Sequence, residues 1–253
     1  MYNTVLSALT WRKYNGEIIH VCDKKSADFY RNFNIWDSIA PILPDDLEGI
    51  NPRMFWAAGK LLALREISAP VVMLDKDFIV WKKLTFGKSI IAAHREDLHP
   101  GVYPDVSYFQ MQADYKFNPA FDYTAEPAEK PQILPLNTAF LYLPDEDFKQ
   151  FYVNMAIEFM KSAKDCDDYL CYMVYAEQRL LALCAEYLEQ PVETLLCKEK
   201  IFEPQDNFTH LWGEKQKMRD NPGYEQEFNS RCAARIMRDF PEQEHIINLI
   251  ENM

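Results

Sequence analysis

The chain has 253 residues, of which 48% are hydrophobic and 14% aromatic, enough to bury a sizeable core in one α/β domain with or without a helical appendage. Its formal net charge of −12 argues against a nucleic-acid-binding protein, because neutralising phosphates requires a basic face. Six cysteines without Cys-x-x-Cys spacing favour reduced thiols in a cytoplasmic protein over a disulfide framework. No secretory leader is expected, and no apolar run approaches the ~20 residues that cross a bilayer, although peripheral membrane contact stays open.

The first part of the chain alternates predicted helices and strands. Apolar residues recur at helical spacing from Tyr2 to Tyr14, and Asn15-Gly16 is a typical helix end. The predicted elements that follow are a strand over 17–22, a short helix over 26–33 capped by Ser26, a strand over 35–43, and a helix from Asn51-Pro52 to about Ile67. This alternation predicts right-handed crossovers and a largely parallel sheet.

An apolar run, 71–74, leads into Asp75-Lys76-Asp77 and is followed by a second apolar stretch, 78–81. We predict a strand that is buried on both faces and ends on the two aspartates. Their carboxylates could hold one divalent cation if the backbone turns there, and open α/β sheets bind ligands at the carboxyl ends of strands. A solvated turn after a core strand is the alternative for so short a motif.

The Asp-x-Asp strand resembles the metal-binding signature of nucleotide-sugar-dependent glycosyltransferases of the GT-A fold. In that family a helix rich in small and apolar residues and bearing Lys or Arg commonly precedes the strand, and the segment 56–61 is similar to it. The resemblance implies an α/β fold with a Rossmann-type, mostly parallel sheet flanked by helices, and a Lys60 that faces a diphosphate. An exposed helix lysine is the alternative. Asp23, at the end of the first predicted strand, is a further donor-binding candidate.

The sequence departs from the GT-A pattern at its start. A GT-A domain normally opens with a strand and loop that grip the nucleotide base, and we expect no such strand before Tyr2. Three explanations stay open: the true start of the domain lies upstream, the site for the nucleotide base is built differently, or nucleotide binding has been lost.

The middle of the chain carries a third similarity. A strand is predicted over 88–95, and the long segment 96–135 is rich in Pro, Asp and aromatic residues, which would form an acceptor wall or pack a small subdomain. The predicted strand over 136–144 resembles the GT-A strand in which an Asn faces the transferred sugar. Asn137 is therefore a candidate donor contact, or it caps the strand.

Two long helices are predicted next, one from Asp145 to about Ala163 and one from residue 167 or 168 to Tyr187. The second places Glu177 in an apolar environment. In related transferases an acid in this region can deprotonate the acceptor hydroxyl, a role that requires hydrogen-bond reach. A structural ion pair with Arg179 is the alternative.

The segment 208–217 resembles the His-x-x-Gly-x-x-Lys segment of the glycogenin-type retaining glycosyltransferases. The resemblance implies that His210 joins Asp75 and Asp77 around Mn²⁺ or Mg²⁺ and that Lys215 binds diphosphate, although this lysine comes one residue early and the usual Pro-Trp is absent. One imidazole with two carboxylates suits manganese. Packing of the histidine beside a tryptophan is the alternative.

The resemblance implies a metal-dependent glycosyltransferase of the hexosyltransferase class, with a UDP-sugar as the first candidate donor and a glycan or small molecule as acceptor, serving surface polysaccharide assembly. We predict a catalytic domain over 1–217 and a helical extension over 218–253, with two helices broken at Phe240-Pro241. Two alternatives stay open, a non-catalytic carbohydrate- or nucleotide-binding protein with a degenerate GT-A fold and a nucleotide-sugar hydrolase.

Overall fold

The structure is a computed structural model that describes residues 1–121, 132–201, 203, 205–211 and 214–252, without the side chains of residues 214 and 215. The helices are α1 Tyr2–Asn15, α2 Lys24–Arg31, α3 Ala58–Glu66, α4 Glu146–Ser162, α5 Tyr169–Val174, α6 Leu180–Tyr187, α7 Glu214–Asp220, α8 Pro222–Asp239 and α9 Glu244–Glu251. The strands are β1 Ile19–Asp23, β2 Ser38–Leu43, β3 Val71–Leu74, β4 Phe78–Val80, β5 Ile90–Arg95, β6 Leu136–Leu143, β7 Val192–Thr194 and β8 Phe208–His210. Over these ranges, none of the helices is both long enough and apolar enough to cross a membrane.

The chain forms two compact units, each assembled from separate stretches of sequence. Unit 1 comprises Met1–Pro41, Asp75–Thr85 and Glu203–Met253, and unit 2 comprises Ile42–Leu74 and Phe86–Phe202. The predicted α/β class and the predicted helical C-terminal part are confirmed. The domain boundary that we predicted between residues 217 and 218 falls inside the last stretch of unit 1.

Unit 2 contains a four-stranded sheet in the order β3-β6-β5-β7. The completely buried β6 pairs antiparallel with both β3 and β5, and β5 pairs parallel with β7. The largely parallel, Rossmann-type sheet that we predicted is therefore not what this sheet shows, because β6 runs opposite to both of its neighbours.

The helices of unit 2 form one core with this sheet. Helix α4 begins as predicted, since the Asp145 side chain accepts a hydrogen bond from the Phe148 amide at 2.8 Å and satisfies a free helix N-terminal donor. Its buried face includes Tyr152 and Phe159, which pack with residues of α3, α5 and α6. Helix α3 starts later than predicted, because Asn51 closes a turn by accepting a hydrogen bond from the Arg53 amide at 2.9 Å.

Unit 1 has its own core, in which α1, α8 and α9 pack together with residues of β4. The N-cap that we assigned to Ser26 was wrong. Asp23 occupies that position, and its carboxylate accepts hydrogen bonds from the Ser26 amide at 2.9 Å and from the Ser26 hydroxyl at 2.7 Å. The predicted break between the last two helices is confirmed, since α8 ends at Asp239 and α9 begins at Glu244.

The apolar run around the Asp-x-Asp motif forms two short strands rather than one. Strand β3 pairs with β6 in unit 2, whereas β4 pairs with β8 in unit 1. The chain turns between them, and the Phe78 amide donates to the Asp75 carbonyl at 2.9 Å. Strand β3 is half-buried rather than buried on both faces because it is the edge of its sheet, while all three residues of β4 are buried.

One buried histidine of unit 1 titrates abnormally. His20 on β1 is 7% exposed, and its ring centroid lies 3.9 Å from that of Tyr30 and 4.6 Å from that of Trp36. Burial first, and the charge of Lys76 second, lower the pKa of His20 from 6.5 to about 4. Between these pH values the unfolded chain binds a proton that the native state does not, so stability falls as the pH falls through this window.

We expect the substitution His20→Phe to remove this acid sensitivity. In urea unfolding, the wild type should lose about 2 kcal/mol more stability than the variant between pH 7 and pH 5. The control His245→Gln replaces an exposed histidine of unit 1 and should keep the wild-type pH dependence. Equal pH dependence of the wild type and His20→Phe would contradict the assignment.

Candidate functional site

A network of polar side chains lies at one end of the unit 2 sheet, where β5 ends and β6 begins. The two strands pair there with His94 opposite Asn137 and Arg95 opposite Leu136, after a register shift that follows Ala92. Such irregularities redirect side chains at the rims of sheets and are common beside active sites. The network also includes residues of α3 and of the turn that joins α5 to α6.

Glu177 is the centre of this network. It lies in a π-helical turn, Tyr175–Arg179, and is 6% exposed. Its Oε1 accepts hydrogen bonds from Nζ of Lys60 at 2.6 Å and from Oγ1 of Thr138 at 2.7 Å, while its backbone carbonyl accepts one from the Tyr152 hydroxyl at 2.7 Å. Single π-helical turns occur mostly at functional positions, because the widened turn reorients side chains at a cost in backbone stability.

Asn137, the neighbour of Thr138 on β6, holds a second carboxylate at this end of the sheet. Its Nδ2 donates to Oε1 of Glu96 at 2.8 Å, and its Oδ1 accepts from the Ala139 amide at 3.1 Å. The imidazole Nδ1 of His94 lies 3.9 Å from the same Glu96 oxygen. Asn137 and His94 are both buried, so these polar groups are held in fixed positions.

Tyr103 adds a phenol next to Glu177. Its hydroxyl donates to Oε1 of Gln178 at 2.5 Å. Burial first, and then the negative charges of Glu96 and Glu177, raise the pKa of Tyr103, which keeps the phenol neutral and able to donate a hydrogen bond.

Sequence reasoning identified three of these residues, Lys60, Asn137 and Glu177. The structure pairs Lys60 with Glu177 and places Asn137 next to Thr138 on β6, all within unit 2. Other members, among them Thr138, Gln178, Glu96 and Tyr103, were not singled out as candidates. A polar residue inside an apolar strand, such as Thr138, is a usable signal because a buried hydroxyl needs a partner.

The arrangement constrains what Glu177 can do chemically. We had considered an ion pair with Arg179, but the structure pairs Glu177 with Lys60, and Arg179 donates to the Ile133 carbonyl. Because one carboxylate oxygen already accepts from both Lys60 and Thr138, a base role at that oxygen requires an incoming hydroxyl to displace one of them. The side chains of Glu177, Asn137 and Thr138 are all buried, and each has a hydrogen-bond partner within the protein.

The candidate metal ligands lie in unit 1, on the short ladder of β4 and β8. The register places Phe78 opposite His210, and the Leu211 amide donates to the Asp77 carbonyl at 3.3 Å. Side chains lock this ladder, since Trp81 Nε1 donates to Thr209 Oγ1 at 2.8 Å. The pairing therefore brings the Asp-x-Asp segment and the histidine segment together from distant parts of the sequence.

The donor types fit manganese or magnesium, but they are not preassembled. Two carboxylates and an imidazole are ligands that Mn²⁺ accepts. Within the ranges that the structure describes, however, no three or more His, Cys, Asp or Glu side chains are grouped so that they could hold a metal ion. Asp77 is also 4% exposed.

Two further donor-binding candidates have other positions. The Asp23 carboxylate caps α2, and its hydrogen bonds with Ser26 lower its pKa. Lys215 lies in α7, but its side chain is outside the described part of the chain, as is Gly213 of the His-x-x-Gly motif.

Comparison with known proteins assigns a family but no activity. Residues 1–248 match the model of a family of unknown function, DUF6734. No curated protein and no solved structure matches the chain.

We expect Lys60 and Glu177 to stabilise unit 2 as a coupled pair. Lys60→Met should lower the free energy of unfolding by about 2 kcal/mol, because it leaves a buried carboxylate without its ammonium partner. The Lys60→Met/Glu177→Gln double variant should lose less than the sum of the two single variants, with a coupling of about 1–3 kcal/mol in urea unfolding.

The control for this double-mutant experiment is the exposed ion pair of Arg53 and Asp167. Nη2 of Arg53 lies 3.4 Å from Oδ1 of Asp167, and the two side chains are 72% and 98% exposed. Arg53→Met should change stability by less than about 0.5 kcal/mol. Strict additivity of the Lys60 and Glu177 substitutions would show that the two side chains are not energetically coupled.

Proposed function

Because the chain belongs to DUF6734, a family of unknown function, we propose its activity from its own residues: a metal-dependent glycosyltransferase. It would move a sugar from a nucleotide-diphospho-sugar, with a UDP-sugar as first candidate, to a hydroxyl of a glycan or small acceptor. The enzyme would act in the cytoplasm, and its product would serve the assembly of surface polysaccharide.

The observation that carries the proposal is the pairing of β4 with β8. The Asp-x-Asp motif and the histidine motif were identified separately along the sequence, and the register that sets Phe78 opposite His210 joins them in one unit. This pairing supports a proposal in which the two motifs contribute to one metal site.

Asp75, Asp77 and His210 would hold the Mn²⁺ or Mg²⁺ ion, which would supply positive charge against the diphosphate leaving group. Since the described side chains contain no ready three-ligand group, the proposal requires the ion and the nucleotide to complete the site when they bind. Lys215 on α7 would add a second positive charge for the diphosphate.

The Glu177 network of unit 2 offers its own groups for sugar hydroxyls. Asn137 would hydrogen bond a sugar hydroxyl, and Glu96 fixes the orientation of its amide. Glu177 would accept the proton of the acceptor hydroxyl if the reaction inverts the anomeric configuration. In that reaction Lys60 and Thr138 position the carboxylate rather than contact the substrate.

A second candidate is a non-catalytic carbohydrate- or nucleotide-binding protein. Two observations favour it: the described side chains include no preassembled group of metal ligands, and one oxygen of Glu177 already accepts hydrogen bonds from Lys60 and Thr138. A nucleotide-sugar hydrolase would use the same residues with water as acceptor, and no contact in the structure favours it over transfer.

We expect metal-dependent binding of a nucleotide sugar that requires the two aspartates. Calorimetric titration with UDP and a panel of nucleotide sugars should show binding with Mn²⁺ that weakens at least about tenfold, or 1.4 kcal/mol, in the Asp75→Ala/Asp77→Ala variant. Asp28→Ala removes an exposed carboxylate of α2 and should bind as the wild type does.

The reaction products separate the candidates. Incubation of the metal-loaded protein with the binding donor should release the nucleotide and form a glycoside in the presence of an acceptor. Free sugar alone would indicate a hydrolase, and binding without turnover would indicate a non-catalytic protein. No binding of any nucleotide with or without Mn²⁺ would refute the donor site.

A further inference from the structure

Unit 2 carries an exposed aromatic surface that lies outside the Glu177 network. We call it the aromatic platform and define it as Trp56, Tyr108, Tyr169 and Leu170, which are 53%, 44%, 41% and 45% exposed. The rings of Trp56 and Tyr169 are in contact, with centroids 6.0 Å apart and planes at 86°. Large apolar side chains grouped on a surface commonly mark a binding site.

The platform is held rigidly by its neighbours in sequence. Phe55 is 1% exposed and its ring makes edge contacts with Phe159 and Tyr172, while the Ala57 amide lies 3.4 Å from the Met173 sulfur. The backbone of Trp56 is therefore held between two buried residues, and its side chain is directed outward. Because the fold orders this backbone in advance, a ligand would have to immobilise only the side chain of the tryptophan when it binds.

The rim of the platform is rich in carboxylates. Asp165 accepts a hydrogen bond from Asn51 Nδ2 at 2.7 Å, and Asp168 accepts one from the Tyr108 hydroxyl. Asp167 lies between them in sequence with its side chain 98% exposed. The contacts with Asn51 and Arg53 place the carboxylates of Asp165 and Asp167 beside the segment that leads into Trp56.

We propose that the aromatic platform binds a neutral glycan chain. The C–H faces of pyranose rings pack on aromatic rings, and sugar hydroxyls donate hydrogen bonds to carboxylates such as those of Asp165 and Asp167. Trp56 and Tyr169 stand edge to face with their planes at 86°, so the two rings face different directions and would contact different residues of an oligosaccharide rather than a single sugar.

The charge of the surface disfavours other occupants. The rim carries the carboxylates of Asp165, Asp167 and Asp168, of which Asp167 is paired with the guanidinium of Arg53 at 3.4 Å. Phosphates of nucleic acids and anionic lipid headgroups would therefore meet an excess of negative charge, on a chain with a net charge of −12. A second copy docked here through a two-fold axis would bring the same carboxylates of both copies together. A neutral polyol meets no such repulsion.

This inference goes beyond the proposed glycosyltransferase activity, because glycan binding at the platform needs neither a nucleotide nor a metal ion. If no nucleotide sugar binds, the proposed glycan binding at the platform is unaffected. Conversely, a chain without glycan affinity at the platform could still transfer a sugar to a small acceptor.

The test is native affinity electrophoresis in gels that contain glycogen, a β-1,3-glucan, a galactomannan or a xylan, without added nucleotide or metal. We expect at least one polysaccharide to retard the wild type, and Trp56→Ala to raise the apparent dissociation constant at least tenfold. Trp56→Phe should retain part of the retardation. Tyr187→Ala, which removes a 50% exposed aromatic residue of the same unit, should migrate as the wild type does.

Three outcomes would overturn the proposal: no retardation of the wild type in any gel, retardation that Trp56→Ala leaves unchanged, or a wild-type dimer in sedimentation velocity that Trp56→Ala dissociates. Circular dichroism melts of each variant establish that it is folded. If Trp56→Ala does not fold, Asp167→Ala replaces it, because removal of this exposed carboxylate should weaken glycan retardation without loss of packing.

Discussion

The carboxylate of Glu177 lies inside unit 2, where it must be compensated by a positive charge and by hydrogen bonds. The compensation comes from separate elements: Lys60 on α3, Thr138 on β6 and, through the backbone carbonyl, Tyr152 on α4. A shift of any of these elements would leave a buried polar group unsatisfied. The network therefore defines how the helices and the sheet of unit 2 fit together.

In unit 1 a smaller feature, the pairing of β4 with β8, restrains the backbone. Strands β4 and β8 have three residues each, too few to be stable by their backbone hydrogen bonds alone. Buried contacts reinforce them, because the Ser7 hydroxyl donates to the Phe78 carbonyl at 2.6 Å and the rings of Phe78 and Phe208 stack with centroids 5.1 Å apart. The backbone that carries Asp77 and His210 is thus tied to α1 and to the core of unit 1.

Local sequence patterns predicted single elements better than their arrangement. The apolar run of β6, the cap at Asp145 and the proline break after α8 depend on near neighbours, so they could be recognised. Strand direction and the split of the 71–81 run depend on partners distant in sequence. Lys60 and Glu177 were both candidates, but their ion pair joins residues 117 positions apart, and no spacing rule predicts such a contact.

The interleaving of the two units has a consequence for biosynthesis. The core of unit 1 combines Val5 from the first stretch of the chain with Ile246 near its end. While the protein is being made, α1 leaves the ribosome long before α8 and α9 exist. Unit 2, which ends at Phe202, is synthesised before α8 begins at Pro222. Unit 2 can therefore fold during translation, whereas unit 1 must wait until α8 and α9 have left the ribosome, with the apolar face of α1 exposed to chaperones in the meantime.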